Sequence, residues 1–435
     1  DGHHRPTARN RGGLDRSVKP LSRSRARACV RGVFEWRGGE SALERVSCAV
    51  GDGSIDAPPR AAMGCGGSKT VGAGGGAAAG SVDDLIAKAK TELDLSQPES
   101  AHEVSAFEPL VDVPPKVFLL TGLEVLRLKK NALTEVPAAV TSLSRLRVLD
   151  VSENKLTALP DNIGDLAQLQ DLDASENEIS SLPASIGSLK QLSRLIFFKN
   201  ALSKLPDEIG GCVALAEVNF FNNKLIRVPA ALAELERLDD LNLAGNKLKT
   251  LCKTDKWGSL KRLAIMWNNI VMLPSFAAMT SLEQLQMNNV MLSAFPDMGA
   301  MPNLQLLDAN SSLVEALPET LGEMKALTNI NCRSCKISAV PAAIGELSAL
   351  ETLNLGNNQL TELPSQLGKC TALKVAFFDG NAGLSRLPAS LAACEQLVRV
   401  NFMGCAIDTG DEDTAAAVSR ITDTTAANGG WLKGV

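Results

Sequence analysis

From Leu123 onward the chain repeats the pattern L-x-x-L-x-L-x-x-N-x-L-x-x-L-P with a period of about 23 residues. Leu146, Leu149, Val151, Asn154, Leu156, Leu159 and Pro160 form one copy; Leu350, Leu353, Leu355, Asn358, Leu360, Leu363 and Pro364 form another. Copies start at Leu123, Leu146, Leu169, Leu192, Leu215, Leu238, Leu260, Leu282, Leu304, Leu327, Leu350, Leu373 and Leu397, thirteen in all, the last truncated. One such unit is too short to bury its own leucines, so successive units must stack and share a continuous core. The L-x-L step predicts a short strand pairing in parallel with its neighbours, and the remaining residues return over the outer face. Asparagine falls where the chain bends inward, because its amide can satisfy backbone groups that a hydrocarbon would leave unpaired.

This spacing is that of leucine-rich repeats, and it predicts an α/β solenoid: a curved horseshoe of about 13 repeats with a parallel concave sheet and end caps. The return L-P-x-x-[IL]-G-x-L, as in Leu159-Pro160-Asp161-Asn162-Ile163-Gly164-Asp165-Leu166, resembles the intracellular Ras-group leucine-rich repeat proteins, including the plant Ras-group-related ones. The resemblance covers roughly residues 82–408. It implies a non-enzymatic cytosolic adaptor that binds a signalling protein such as a small GTPase or a phosphatase, although no residue here marks a Ras partner.

The pattern breaks at Val290, Ser312 and Cys335, where asparagine is missing. Three successive repeats, from Leu238, Leu260 and Leu282, are 22 residues long, and the first has Cys252 in place of proline. A local change of curvature is expected there.

Residues 82–122 read as an N-terminal cap and opening repeat. Ser81 would cap a helix from Val82 to about Lys90 with Asp84 at the capping-box position, its apolar side formed by Val82, Ile86 and Ala89. Leu93 would lie on a first strand, and Leu110, Val113, Pro114, Val117 and Leu120 resemble the back half of a repeat. Residues 123–408 hold the repeats. In the tail, 409–435, Thr414 to Ile421 reads as a closing helix with Asp411, Glu412 and Asp413 at its positive end.

Met63-Gly64-Cys65-Gly66-Gly67-Ser68-Lys69 fits the N-myristoylation pattern and puts a cysteine beside the acceptor glycine. The pattern operates only if translation starts at Met63, so residues 1–62 are expected to be non-native or disordered leader. That stretch has no methionine and carries eleven arginines against the single Lys19. Two rivals remain for it, a transit peptide, disfavoured by Glu35, Glu40, Glu44, Asp52 and Asp56, and a basic tail, disfavoured by the scatter of its arginines. The motif itself has a bland alternative, a chance match in a glycine-rich stretch. Residues 63–81 then read as acylation motif and flexible tether. With Gly64 myristoylated and Cys65 palmitoylated, the protein would sit at a cytoplasmic membrane face, since one myristoyl chain alone binds weakly.

Of 44 basic and 49 acidic residues, the first 62 positions hold 12 and 7, leaving 32 against 42. A nucleic-acid partner is not expected from that balance. Eight cysteines remain after the leader without a regular framework, which suits a reducing compartment and argues against use of the sequon at Asn310.

Residues flanking each inward leucine should face the concave surface. The first full repeat offers Arg127, Lys129 and Lys130; the next two offer Asp150, Glu153, Asp171, Asp173 and Glu176. Then come Ile196, Phe198, Phe221, Met266 and Trp267, apolar groups at positions that ordinarily meet water, with Asn219 and Asn242 between them. Such a patch on a soluble surface points to a protein partner, although stacking along neighbouring rungs would also account for it. Partner binding is therefore assigned to Ile196, Phe198, Phe221, Met266, Trp267, Arg127, Lys129, Asp150 and Asp173, with Trp267 the first anchor to truncate.

Cys332-Arg333-Ser334-Cys335 reads as C-x-x-C, but in register Cys332 replaces a core leucine and Cys335 the asparagine, and Cys212, Cys370 and Cys394 also fall at apolar positions. No metal or cofactor is expected. Outside the leader only His102 could act as an imidazole base, tyrosine is absent, and neither a phosphate loop nor a nucleophile elbow appears. The expected function is a membrane-tethered, monomeric interaction scaffold. The alternative is a soluble regulator or inhibitor of a GTPase or phosphatase with the N-terminal motif unused.

Overall fold

A computed structural model of the chain describes residues 81–98 and 107–435. Gly64, Cys65 and the leader lie outside the described residues. Fifteen three-residue strands form one parallel sheet in strict chain order. They are β1 (Glu92–Asp94), β2 (Val125–Arg127), β3 (Val148–Asp150), β4 (Asp171–Asp173), β5 (Arg194–Ile196), β6 (Glu217–Asn219), β7 (Asp240–Asn242) and β8 (Arg262–Ala264). The series continues with β9 (Gln284–Gln286), β10 (Leu306–Asp308), β11 (Asn329–Asn331), β12 (Thr352–Asn354), β13 (Val375–Phe377), β14 (Arg399–Asn401) and β15 (Trp431–Lys433). The thirteen repeat starts correspond to β2–β14; β1 and β15 belong to the two ends.

The sheet's register follows the repeat. Leu126, Leu149, Leu172 and Leu195 stand opposite one another on consecutive strands, each fully buried, while the residues on either side point to the opposite face. On the return side, short 3-10 segments follow the prolines: Pro137 precedes Ala138–Ser142 and Pro364 precedes Ser365–Lys369. Proline suits that place because its missing N–H would be unpaired at a helix start anyway. Glycine in the L-P-x-x-[IL]-G-x-L return serves close stacking. A Cβ on Gly187 or Gly368 would run into the carbonyl of Glu208 or Ser390 on the next turn.

The 22-residue repeats differ where the pattern weakens. Between Ala230–Glu234 and Leu321–Glu323 no described return forms a 3-10 segment. Bulk replaces the missing turn: Trp257, Phe276, Met279, Met298 and Met301 fill the interior there, none more than 2% exposed. The Trp257 indole N–H donates to Leu232 O at 3.2 Å, which satisfies its one polar atom inside the core.

The asparagines form a second ladder. Asn154 donates from Nδ2 to Leu128 O and Val151 O, both at 3.0 Å, and its Oδ1 accepts from Leu133 N. Asn177, Asn223 and Asn358 repeat the arrangement. At two of the three breaks a smaller donor keeps part of it, since Ser312 Oγ donates to Met287 O and Cys335 Sγ to Ala309 O, whereas Val290 offers none. Ahead of each of these thirteen positions the chain turns through a residue with positive φ, from Lys130 (58°) to Gly404 (77°).

Both ends are closed as their sequences suggest. The N-terminal helix α1 spans Val82–Lys88 with the Ser81–Asp84 capping box formed, and Ile86 is buried. The C-terminal helix α2 runs over Glu412–Ala427, longer than the pattern predicts at both ends. Asp411 caps it by accepting from Thr414 N and Oγ1, and the same hydroxyl accepts from Leu387 N, tying the helix to the last return. β15 was not expected. Trp431 on it stacks on Phe377 with centroids 6.0 Å apart.

Candidate functional site

The sheet face is built from residues that flank the buried centre of each strand. On the first position Asp171, Arg194, Glu217, Asp240 and Arg262 occupy consecutive rungs. Arg194 donates through Nη1 to both oxygens of Asp171 at 3.1 Å and through Nε to Glu217 at 3.3 Å; Arg262 Nε donates to Asp240 at 2.7 Å. Asp240 is buried, and burial pushes its carboxyl up to about 7 against the pull of Arg262.

The third strand position carries Arg127, Asp150, Asp173, Ile196, Asn219, Asn242 and Ala264. Several of these side chains have a local structural task. Asp150 accepts from Ser152 N and Oγ, Asp173 from Ser175 N and Oγ, Asn219 from Phe221 N and Asn242 from Ala244 N, each bridging the strand to its corner. Burial lifts the Asp173 carboxyl to about 6, with the serine bonds opposing it. Two expectations need correction here. Ile196 is only 2% exposed, because neighbouring rungs close over it, so it is floor and not a group meeting water. Asn242 is buried as well and forms no open polar rung.

Two residues beyond the strand ends, Phe198, Phe221 and Met266 are half-buried. Trp267 is not a strand-flank residue. It occupies the positive-φ corner (53°), a row filled on other turns by Gly, Asn, Ser, Lys and Glu, and is 45% exposed. Its ring lies 6.3 Å from that of Phe221, tilted by 48°. The intervening turn carries Ala244 and Gly245, and a Cβ on Gly245 would come within 3.3 Å of the Phe221 ring. Small residues on the middle turn thus let aromatic groups from the turns on either side meet above it. Lys199 Nζ sits 5.8 Å from the Phe198 ring centre and pairs with Glu176 at 2.9 Å.

The basic residues assigned to the first repeat are engaged within the fold: Arg127 with Glu92, and Lys129 with Glu153 at 3.3 Å. Cys332, Cys370 and Cys394 are buried with thiols raised by burial, the last two to about 11 and about 12, and no group of metal-ligating side chains occurs among the described residues. Exposed Val271, Met272, Met291 and Leu313 were missed by reading strand flanks only, since they follow the corner.

Residues 104–239 match the family described as a leucine-rich repeat region, and residues 349–370 match a single leucine-rich repeat. This is a leucine-rich repeat protein. No curated protein matches the chain. Among solved structures it is similar to a leucine-rich repeat protein of Leptospira interrogans, with 25% identity over 79% of this chain and 89% of that one and a TM-score of 0.69. An internalin of Listeria monocytogenes is 21% identical over 73% of this chain and 88% of its own, with a TM-score of 0.58. The Toll–Spatzle complex of Drosophila gives 20%, 73%, 44% and 0.63 in the same order. These likenesses bear on the fold and single out no subgroup of leucine-rich repeat proteins.

Proposed function

We propose that this leucine-rich repeat protein is a non-enzymatic interaction scaffold that holds a protein partner on the sheet face and corner around Phe221 and Trp267. The observation that carries the reading is Trp267 itself. A bulky side chain in the left-handed region costs about 1–2 kcal/mol where glycine would cost none, and a half-exposed indole recovers little of that through burial. Lys130, Glu153 and other non-glycine residues accept the same backbone on their own turns, so what sets Trp267 apart is a large apolar group held exposed there, which points to use of that group. Exposed Val271, Met272, Met291 and Leu313 extend apolar surface over the following turns. Leucine-rich repeat domains generally bind proteins, and the Ras-group-like returns favour a signalling protein such as a GTPase or phosphatase.

Attachment to a membrane belongs to the same proposal and rests on the sequence at Gly64 and Cys65. No described helix is long and apolar enough to cross a bilayer, and an acyl anchor would not need one. Two variants test the parts separately. Trp267→Gly should reduce recovery of a crosslinked partner from native cells with localisation intact. Gly64→Ala should release the protein from membranes with partner recovery intact; unchanged fractionation would leave the soluble-regulator reading in its place.

A further inference from the structure

Beside the aromatic cluster the sheet face carries two carboxylates, Asp150 and Asp173, that form no direct ion pair among the described residues, although Arg194 acts on Asp173 from the next rung. Asp150 and Asp173 stand directly opposite each other in register. Their bonds to Ser152 and Ser175 fix the carboxylates without neutralising them. The arginines on the flanking rungs are turned to other acids, Arg127 to Glu92 and Arg194 to Asp171 and Glu217. Like charges facing each other across a strand pair are unfavourable, and a cation between them would relieve the repulsion. Burial lifts the Asp173 carboxyl to about 6; the Ser175 bonds oppose this, and the smaller repulsion from Asp150 adds to it while Arg194 works against it.

Along the same face this acidic step leads to Phe198, then Phe221, then Trp267. Rungs are about 4.8 Å apart, so Phe221 lies about 10 Å and Trp267 about 19 Å along the solenoid from Asp173. An extended peptide advances about 3.3 Å per residue and turns alternate side chains to one face, so side chains about four and six residues beyond the first, two residues apart, suit rings whose centres lie 6.3 Å from each other.

We propose that the face takes an extended basic–apolar segment of the partner, with a lysine or arginine between Asp150 and Asp173 and apolar side chains about four and six residues further on, on the same face of the segment, against Phe221 and Trp267. The inference rests on the reading of this face as the partner site and adds the chemistry of its occupant. An acidic peptide would meet the same carboxylates as repulsion. The charge step also sets the direction of the segment, cation toward β3 and apolar residues toward β8.

A random peptide display library selected on the full chain tests it, with the selected peptides measured by fluorescence polarisation against wild type, Asp150→Asn/Asp173→Asn and Trp267→Gly. Asparagine already accepts the same corner bond at Asn219 and Asn242, so the double variant keeps the local structure. Selected peptides should carry Lys or Arg about four and six residues from apolar positions. Affinity should fall by about tenfold or more with the double variant, and with raised salt, as expected for a partly desolvated charge pair. It should also fall with Trp267→Gly. Peptides sensitive to Trp267→Gly but indifferent to the double variant would overturn the basic requirement while leaving the partner face standing. Peptides indifferent to both would overturn both readings, and acidic peptides, or no binder at all, would overturn this one.

Discussion

Arg333 and Asp379 lie two turns apart, yet the guanidinium meets the carboxylate with Nη1 to Oδ1 at 2.9 Å and Nη2 to Oδ2 at 2.7 Å. Gly356 on the turn between them makes the contact possible, because a Cβ there would occupy the position of Nη1. The same device joins Phe221 to Trp267 over Gly245. In both places side chains two turns apart meet across a middle turn that carries glycine.

A bidentate, partly buried pair of this kind should show a coupling of about 1 kcal/mol in a double-mutant cycle of Arg333→Ala and Asp379→Ala followed by urea unfolding. Gly356→Ala should remove most of that coupling by itself. A cycle that still shows full coupling in the Gly356→Ala background would mean that the pair does not depend on the gap.

The asparagine ladder predicts two changes of opposite sign. Asn223→Ala removes bonds to Phe197 O, Phe220 O and Leu202 N in a buried setting and should cost about 3 kcal/mol. Val290→Asn places the missing amide in a position that hydrocarbon now occupies and should add about 1 kcal/mol, with slower hydrogen exchange at Ile270. Thermal unfolding and amide exchange decide both; a destabilised Val290→Asn would show that the shorter turn has no room for the ladder.

These contacts divide what the repeat pattern makes legible from what it does not. Period two within a strand and a fixed turn length determine which leucine points inward, so the sheet, its register and the thirteen central strands were readable. So was the Ser81–Asp84 cap, whose bonds are local. Ile196 was misread because its exposure depends on the size of residues on neighbouring rungs, information that lies 23 positions away in either direction. Trp267 was read with the strand flanks although it stands seven residues after its repeat start Leu260, the offset of Lys130 from Leu123, which is the corner on every turn. Trp257 drew no notice, because its role follows from the absence of a 3-10 turn. β15 follows helix α2 directly and stands outside the repeat spacing.

Two acids, Asp240 buried and Asp173 half-buried, set a pH dependence. Burial raises Asp173 to about 6 and Asp240 to about 7 from an ordinary value near 3.8, so folding favours their neutral forms. Their contribution to stability is therefore full below about pH 4 and is lost as pH rises through 6 and 7, at up to about 1.4 kcal/mol per pH unit for each proton. Urea unfolding between pH 4.5 and 8 should show Asp240→Asn flattening the upper part of that decline. An unchanged slope in the variant would show that Arg262 keeps Asp240 ionised throughout.

The two tryptophans ten residues apart should separate folding from binding. Trp257 is fully buried, fills the space left by the missing 3-10 turn and donates to Leu232 O. Trp257→Ala opens a cavity among residues held by turns on both sides and should cost about 3–5 kcal/mol. Trp267 is 45% exposed and, among the described residues, its ring contact is with Phe221. Trp267→Gly loses that contact, worth about 0.5–1.5 kcal/mol, and recovers a similar amount from the relieved backbone, so stability should stay within about 1 kcal/mol of wild type. Peptide affinity in polarisation assays should follow the opposite order, with Trp267→Gly the weaker binder. If Trp267→Gly unfolds the chain as readily as Trp257→Ala, the indole at the corner is a packing group and the strained backbone needs no partner to explain it.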